Sequence, residues 1–446
     1  MITRDPSVYT TSILSRFGQW LPLGWVWRRS SLGPLQTLLT VMSMVAFGNK
    51  GYRAALTDVF SAMHRSFALH DDGIPTSSAL TQARGKLTEK MIRDLFQTVS
   101  AKASHVRSRA RLRYRTFKRI IAVDGTYIPL VSTPSLKRDF GCPAGDHLAP
   151  QALLTVMWDI GGNVPVDWRL ARHDDSEQAC AEDMFGSLEV GDIALMDRLF
   201  PSRDTMARII QRGADFVMRV KTKGNRIAAE ITAFLESGLN DQTISLPGHP
   251  AYQVRFVRGH RAGTEHVVLV TSLVDPIHTA QAIADLYQRR WGIETAYREA
   301  KSWHGLNELP GRSKDMVRQE VCALMLFWLM QGELEGQARE VYAEEIAKQP
   351  DVAPNGKPAE GIAEVPVLFN RKLLATCVAL LMVSGVDSMD EATRQWRVSI
   401  RYLWQNRARR RPGRTARRTS ERPHTIKFRD AESSLKALGG RKRAGK

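Results

Sequence analysis

The chain has 446 residues, 43% of them hydrophobic and 25% charged, with a formal net charge of +18. That is ample for a large core and for two or three domains. The four cysteines form no CxxC pair, which argues against a zinc centre or a disulfide framework. The first residues lack a secretory pattern, and the most apolar run, residues 321–330, is too short to span a bilayer, so we expect a cytoplasmic protein.

The basic residues are concentrated at the carboxyl end. Residues 405–446 contain 15 Lys or Arg and 3 Asp or Glu, whereas the other 404 residues contain 49 and 43. A basic tail on a mildly basic body indicates a polyanionic partner, and nucleic acid is the common one. An acidic membrane surface is the alternative, but binding to it would need a larger apolar face than this tail offers. We predict that residues 405–446 form a disordered basic tail.

The amino-terminal residues, up to about 112, are predicted to be helical. Apolar residues recur at three- and four-residue spacing in 32–48 and in 78–102, and the second segment follows a PTSS sequence that is typical of a helix start. A basic stretch at 107–119 follows. It is typical either of a contact with a DNA backbone or of a solvated connector, and both readings stay open.

Five short β-branched runs come next and predict an α/β domain. Gly, Pro and Asp bound these runs, and several are apolar on both faces, as expected for central strands covered by helices. With helical segments at 176–189 and 201–213, the order is β-β-β-α-β-α-β, an antiparallel meander followed by βα units. The five runs are residues 119–130, 151–160, 163–170, 192–197 and 215–220.

The rest of the chain is predicted to be a β insertion followed by helices. Residues 222–275 contain a predicted hairpin around the GHRAG sequence at 259–263. Helix is predicted over 277–304 and 315–347. A Pro- and Gly-rich loop at 349–361 then interrupts a helical region that ends near residue 404.

Candidate chemistry lies at the ends of two predicted strands. Asp124 follows the run RIIAV and Asp197 follows DIALM. Ligands bind at the carboxyl ends of strands in open α/β sheets, although a single Asp there is more often a turn or helix cap. Two such residues with a glutamate from a later helix would form a trio of hard oxygen ligands that suits Mg²⁺. Two ions roughly 4 Å apart would activate a hydroxyl and stabilise the leaving oxygen of a phosphodiester.

A polar stripe on the predicted helix at 277–304 could supply that glutamate. At about 100° per residue, Arg290, Glu294 and Lys301 lie about 60°, 20° and 40° from Tyr287, with Arg298 at the edge of the stripe. The ordinary explanation is a solvated face with ion pairs such as Arg290–Glu294. The two strand-end acids favour a functional stripe instead.

The stripe and the two Asp segments resemble a known family. The spacing of Tyr, Arg, Glu and Lys in residues 287–301 is similar to the Y-R-E-K motif of the insertion-sequence-4 family of bacterial DDE transposases. The sequences AVDGT at 122–126 and LMDRLF at 195–200 resemble the family's first and second Asp motifs. The resemblance covers nearly the whole chain, and the Y-R-E-K motif is strongly specific when both Asp motifs accompany it.

The resemblance implies an α/β fold with a ribonuclease-H-like catalytic core over residues 113–345. Its β-rich insertion would lie at about 222–275. The core would be flanked by a helical N-terminal DNA-binding domain over 1–112, by a helical C-terminal region over 346–404, and then by the basic tail.

The resemblance also implies the site residues. Asp124, Asp197 and Glu294 would be catalytic and would hold two Mg²⁺ ions, or Mn²⁺ in their place. Glu299, about 140° from Glu294 on the predicted helix, is interpreted as lying outside the site. The implied DNA-binding residues are Tyr287, Arg290, Arg298 and Lys301.

The implied activity is metal-dependent cut-and-paste excision and integration of an insertion sequence, by hydrolysis and transesterification of DNA phosphodiesters. The implied partners are the inverted-repeat ends and the target DNA, bound by a homodimer in a paired-end complex in the bacterial nucleoid, without a membrane. Two alternatives stay open: a related nuclease without strand transfer, and a non-catalytic DNA-binding derivative of a transposase.

The aromatic residues depart from the family pattern at one point. Some relatives stack a flipped base against a tryptophan in or beside the insertion, but this chain has no Trp between Trp168 and Trp291. Either Phe234, Tyr252 or Phe256 replaces it by stacking, or the base is held in another way, and both alternatives stay open.

Overall fold

The computed structural model describes residues 32–48, 51–64, 74–111, 117–143, 149–221, 227–261, 264–347, 369–384 and 389–407. The predicted loop at 349–361 lies outside these residues, and so does the predicted basic tail beyond residue 407. Within the described residues, no helix combines the length and apolar character that crossing a membrane requires.

In its described ranges, the amino-terminal part contains four helices: α1 (Pro34–Ala46), α2 (Tyr52–His64), α3 (Ser77–Arg84) and α4 (Glu89–Arg111). The predicted single helix over 78–102 is wrong, because the chain turns at Gly85 and restarts where the Thr88 hydroxyl accepts the Met91 N–H. The basic stretch at 107–119 begins in α4 and crosses residues outside the described ranges. Its last residue, Arg119, is buried and paired with Asp192, so at that position it neither faces DNA nor is solvated.

One eight-stranded sheet forms the centre of the molecule, in the order β3-β2-β1-β4-β5-β8-β7-β6. The first three strands form the predicted antiparallel meander, and β4 and β5 run parallel to β1. All five strands predicted between residues 119 and 220 are therefore confirmed. They are β1 (Ile120–Pro129), β2 (Gln151–Asp159), β3 (Val164–Arg172), β4 (Ile193–Met196) and β5 (Asp215–Arg219).

The insertion extends this sheet. It contributes β6 (Asp241–Leu246), β7 (His249–Arg261) and β8 (Thr264–Thr271), and β8 pairs antiparallel with β5. The predicted hairpin is the β7–β8 pair. The insertion is less purely β than its sequence texture indicated, because the apolar run AAEITAFLE forms a helix over Ala228–Glu236.

Two of the three aromatic candidates for base stacking are core residues. Phe234 and Phe256 stack on one another with ring centroids 5.6 Å apart, and each is 1% exposed. The expectation that either could stack on a flipped base is therefore wrong for this structure. Tyr252 is partly exposed and stacks on His249.

Helices cover both faces of the sheet. The helices are numbered in chain order, so that α5 is Pro134–Phe140 and α8 is the helix of the insertion. One face of the sheet carries α6 (Glu177–Glu182) and α7 (Arg203–Gln211). The opposite face carries α9 (Ala280–Gln288) and α10 (Trp291–Trp303). The crossover predicted at 176–189 is helical over only six residues, because Asp183 caps α6 and Gly186 follows in a short 3₁₀ turn.

The predicted continuous helix over 277–304 is interrupted between α9 and α10. Around Arg289 and Arg290 the backbone hydrogen bonds tighten to three-residue spacing, as in the 3.0 Å bond from the Arg290 N–H to the Tyr287 carbonyl. Tyr287 and Glu294 therefore belong to two short helices joined by a tight turn, and not to one straight stripe.

The long helix α11 (Lys314–Val341) joins the sheet to the terminal helices. It packs against α1, α4 and β3, and also against α13 (Arg371–Val383) and α14 (Met389–Gln405). The apolar run at 321–330 is its buried centre. The prediction of one helix over 315–347 needs one correction, since the chain breaks at Tyr342 before α12 (Ala343–Ala347).

Candidate active site

The two strand-end aspartates come level at one edge of the sheet. In the parallel pair of β1 and β4, Val123 lies opposite Met196, so the next residue of each strand, Asp124 and Asp197, follows at the same height. Neighbouring strands are about 4.8 Å apart, and level side chains on parallel strands point to the same face. The local sequence explains the arrangement, because two buried apolar runs end at these polar residues.

Arg290 links one of these aspartates to the predicted glutamate. Its Nη1 lies 3.5 Å from Asp124 Oδ1, and its Nη2 donates a 2.6 Å hydrogen bond to Glu294 Oε1. The guanidinium also lies 6.0 Å from the ring centroid of Tyr287 and 5.7 Å from that of Trp291. Only 8% of the residue is exposed. The arginine predicted to bind DNA therefore bridges two acids in this structure.

Helix α10 is fixed to β1 beside Asp124. The Tyr297 hydroxyl donates a 2.7 Å hydrogen bond to the Asp124 carbonyl, and Lys301 Nζ donates one of 2.7 Å to Thr126 Oγ1. Burial lowers the pKa of Lys301. An open groove of about 530 Å³ runs between the helix and the strand, and the exposed Arg298 lines it with Lys301.

The Tyr287 side chain reaches the same region from α9. Burial raises the pKa of its phenol, the nearby Arg290 opposes that shift, and the Asp197 carboxylate adds to it. The turn between α9 and α10 thus keeps Tyr287, Arg290 and Glu294 close together, as the resemblance implies. They do not lie on one continuous helix, however, as the sequence analysis assumed.

A fourth carboxylate, Glu177, was not predicted. It is the first residue of α6, and its side chain lies over Gly125, where a Cβ would stand 2.7 Å from Glu177 Cδ. Burial raises the pKa of Glu177 and the Asp197 carboxylate raises it further, while a hydrogen bond from the Gly125 N–H and the charge of Arg290 oppose the rise. The sequence offers little signal for it, since an acid in the first turn of a helix is ordinary.

The site carries more negative than positive charge. Burial raises the pKa of Asp124 to about 7, Arg290 opposes this shift, and the carboxylates of Glu177, Asp197 and Glu294 each add to it. Oxygen donors with excess negative charge match the chemistry of a hard divalent cation. Among the described residues, however, no three His, Cys, Asp or Glu side chains converge as a metal site. The donor set fits a cation, while the Arg290 pairs must open before Asp124 and Glu294 can share one.

Three other acidic side chains are otherwise engaged. Glu299 is buried and pairs with Arg371 of α13, on the side of α10 away from the groove. Asp192 is held by Arg119, and Asp204 pairs with His249. Asp197 itself has a second task, since its Oδ1 accepts the Leu199 N–H at 2.7 Å and shapes the turn after β4.

Comparison with known proteins finds transposases. Residues 115–330 match the family model described as "Transposase DDE domain". Curated relatives from Escherichia coli include the putative transposase InsL for insertion sequence element IS186A (strain K12) and the transposase for insertion sequence element IS421. Each is 27% identical over a match that covers 42% of this chain. The chain spans 65% of the length of these relatives.

Among solved structures, the chain is similar to the piggyBac transposase synaptic complex with hairpin DNA, determined by cryo-electron microscopy. The TM-score is 0.40 and the identity 11%, over 95% of this chain and 89% of that one. Asp124, Asp197 and Glu294 all lie within the segment that matches the transposase family model.

Proposed function

We propose that this protein is a DNA transposase of the DDE class that excises and integrates an insertion sequence. One observation carries the proposal. Inside the segment that matches the transposase family model, the register of β1 and β4 brings Asp124 level with Asp197, and Arg290 ties Glu294 to the same place.

The fold supports a ribonuclease-H-like core within the proposed domain at 113–345. An antiparallel meander is followed by two parallel strands, and the β insertion lies between the last of them and the helix that carries Glu294, which is the layout that the family resemblance implies. The Y-R-E-K spacing supports membership of the insertion-sequence-4 family. The DNA-binding role of residues 1–112, the C-terminal region at 346–404 and the tail at 405–446 belong to the same proposal.

Asp124, Asp197 and Glu294 would hold the divalent metal, which we take to be two Mg²⁺ ions, with Mn²⁺ as a substitute. When bound, the metal activates the attacking hydroxyl and stabilises the leaving oxygen. Tyr297 and the Lys301–Thr126 bond hold α10 against β1 and so fix the position of Glu294.

The cations along the groove would bind the substrate. Arg298 is exposed, and Lys301 lies partly buried beside it, so both can contact DNA phosphates without base readout. Tyr287 and Arg290 lie deeper, and Arg290 would reach a phosphate only after leaving its acidic partners. The partners would be the inverted-repeat ends and the target DNA, in a paired-end complex made by a homodimer in the bacterial nucleoid.

The test is a reaction with Mg²⁺ and duplex DNA that carries the inverted repeats flanking the gene. The expected products are cuts at the element end followed by joining of that end to a target plasmid. Cuts without joined products would favour the related nuclease, and binding without cuts would favour the non-catalytic derivative.

A further inference from the structure

We propose that Glu177 is a fourth carboxylate ligand of the metal centre, reaching it from the face of the sheet opposite Glu294. Because a metal at this edge is part of the proposed function, the role of Glu177 rests on that function. Glu294 comes from α10 and Glu177 from α6, so the ends of β1 and β4 would be enclosed by acids from both faces.

The position of Gly125 brings Glu177 to the site. The Glu177 side chain occupies the space where any other residue would carry its Cβ, since that atom would stand 2.7 Å from Cδ, 2.8 Å from Oε1 and 3.0 Å from Cγ. Real Cβ atoms essentially never come this close to other atoms. The glycine directly after Asp124 therefore leaves room for an acid on α6 to lie against β1 next to Asp124.

Glu177 is not needed to cap its helix. Ser176 does that, because its Oγ accepts the Ala179 N–H at 3.3 Å. The Gly125 N–H bonds the Glu177 carboxylate, but within the described ranges Glu177 forms no ion pair. The cation that opposes its charge, Arg290, is already paired with Asp124 and Glu294. A half-buried carboxylate placed against other carboxylates is unfavourable by itself. A divalent cation among them would remove that repulsion.

The test measures Mn²⁺ binding to the full chain by electron paramagnetic resonance of the free ion, without DNA, at pH 8. Glu177→Gln removes the charge at constant size and should weaken Mn²⁺ binding at least tenfold. The matched control is Asp183→Asn, which neutralises an exposed acid at the other end of α6 and should bind as the parent does. Binding by Glu177→Gln within twofold of the parent would overturn the proposal, and so would equal losses in both variants.

A second variant covers the case in which Glu177→Gln fails to fold. Gly125→Ala changes no charge, but its methyl group should displace the Glu177 carboxylate and weaken Mn²⁺ binding. In a Glu177→Ala background the same substitution should have little further effect. Full additivity of the two changes would contradict a shared action on the metal.

DNA cleavage by the parent protein separates the two proposals. If the parent cuts end-containing DNA while Glu177→Gln binds Mn²⁺ as the parent does, the proposed function is supported and the proposed role of Glu177 is wrong. If Mn²⁺ binding depends on Glu177 but the parent never cuts DNA, the metal ligand stands and the transposase function falls.

Discussion

Two buried arginines of this protein each bind acids, and their surroundings differ. Arg84 lies between the amino-terminal helices and α11 with no exposed surface. Its Nε donates to Gln319 and its Nη1 to Tyr52, while its Nη2 bonds both the Met316 carbonyl and Glu320, at distances of 2.6–2.9 Å. One positive charge meets one negative charge, and each of the three guanidinium nitrogens has a partner.

Arg290 is almost as buried but less well matched. Within the described residues its Nε has no hydrogen-bond partner, and its Nη1 is a distant 3.5 Å from Asp124. Two further carboxylates, Glu177 and Asp197, lie near enough to raise the pKa of Asp124. The local charge is therefore strongly negative, and an open groove reaches it.

The difference separates a structural cluster from a site that can do chemistry. A balanced, enclosed ion pair serves the fold, and breaking it leaves a buried charge without a partner. An unbalanced cluster at an open edge opposes folding and can persist because it gives a function. Substitutions in the two clusters should therefore have opposite signatures in stability and in activity.

The largest expected effect is on cleavage, in Glu294→Gln. The change removes an anionic ligand at constant size, so end cleavage should fall by roughly a thousandfold, about 4 kcal/mol in the barrier. Urea unfolding and gel-shift binding should stay close to the parent's, because the lost partner of Arg290 can be replaced by Asp124. Glu299→Gln, five residues away on α10, removes the same charge on the side facing Arg371 and should cut normally. Cleavage lost in Glu299→Gln and kept in Glu294→Gln would reverse the assignment.

The second effect is on stability, in Glu320→Gln. Neutralising this acid leaves the fully buried Arg84 without a countercharge, which should lower the free energy of unfolding by about 3 kcal/mol. Urea denaturation measures the loss. At a temperature where the variant is folded, cleavage should match the parent. Selective loss of cleavage in a variant of undiminished stability would remove the contrast between the two clusters.

Much of the sheet could be predicted from sequence, for a physical reason. The five strands from residue 119 to residue 220 are short apolar runs bounded by turn residues, and local texture suffices for such elements. The two aspartates follow those runs directly, so their meeting at one edge also follows from a parallel sheet. The helical periodicity of apolar residues did not reveal breaks within a helical segment, so one helix was predicted over 277–304 where the structure has two.

The rest of the site depends on contacts between distant segments. Nothing near Glu177 distinguishes it from an ordinary helix-start acid, and its meaning comes from Gly125, fifty-two positions earlier in the chain. Arg290 was predicted to contact DNA because an arginine can bind phosphate and because the Y-R-E-K motif implies that role. Its burial against Asp124 depends on how α9 and α10 join, which no local pattern encodes.

The third effect tests the geometry of Arg290. Arg290→Lys keeps the charge but replaces a planar fork, whose two arms reach Asp124 and Glu294, by a single ammonium. We expect cleavage to fall about tenfold, about 1.4 kcal/mol, with little change in unfolding. Single-turnover cleavage under saturating DNA measures it. Arg298→Lys, on the exposed side of the groove, is the control and should stay within about twofold. Full activity of Arg290→Lys would mean that the arginine acts only through its charge.

The smallest expected effect is a gain in the free energy of unfolding, in Asp124→Asn. The folded pKa of Asp124 is about 7 and the ordinary value 3.8, so between these pH values the folded chain keeps a proton that the unfolded chain has lost. Stability from this group therefore falls as pH rises from about 4 to about 7 and stays low above that. Asn at this position has no charge to lose. In buffer with a metal chelator at pH 8, the variant should be more stable than the parent by about 1 kcal/mol. This figure allows for the lost contact with Arg290 and for solvent screening.

The same comparison at pH 5 should give a smaller gain, because the parent then holds its proton. Urea unfolding at the two pH values measures both gains, and Asp183→Asn should give neither. A variant less stable than the parent at pH 8 would mean that the Arg290 pair outweighs repulsion among the carboxylates. The Asp124 cluster would then be a balanced pair like that of Arg84, and its excess charge would no longer point to a cation.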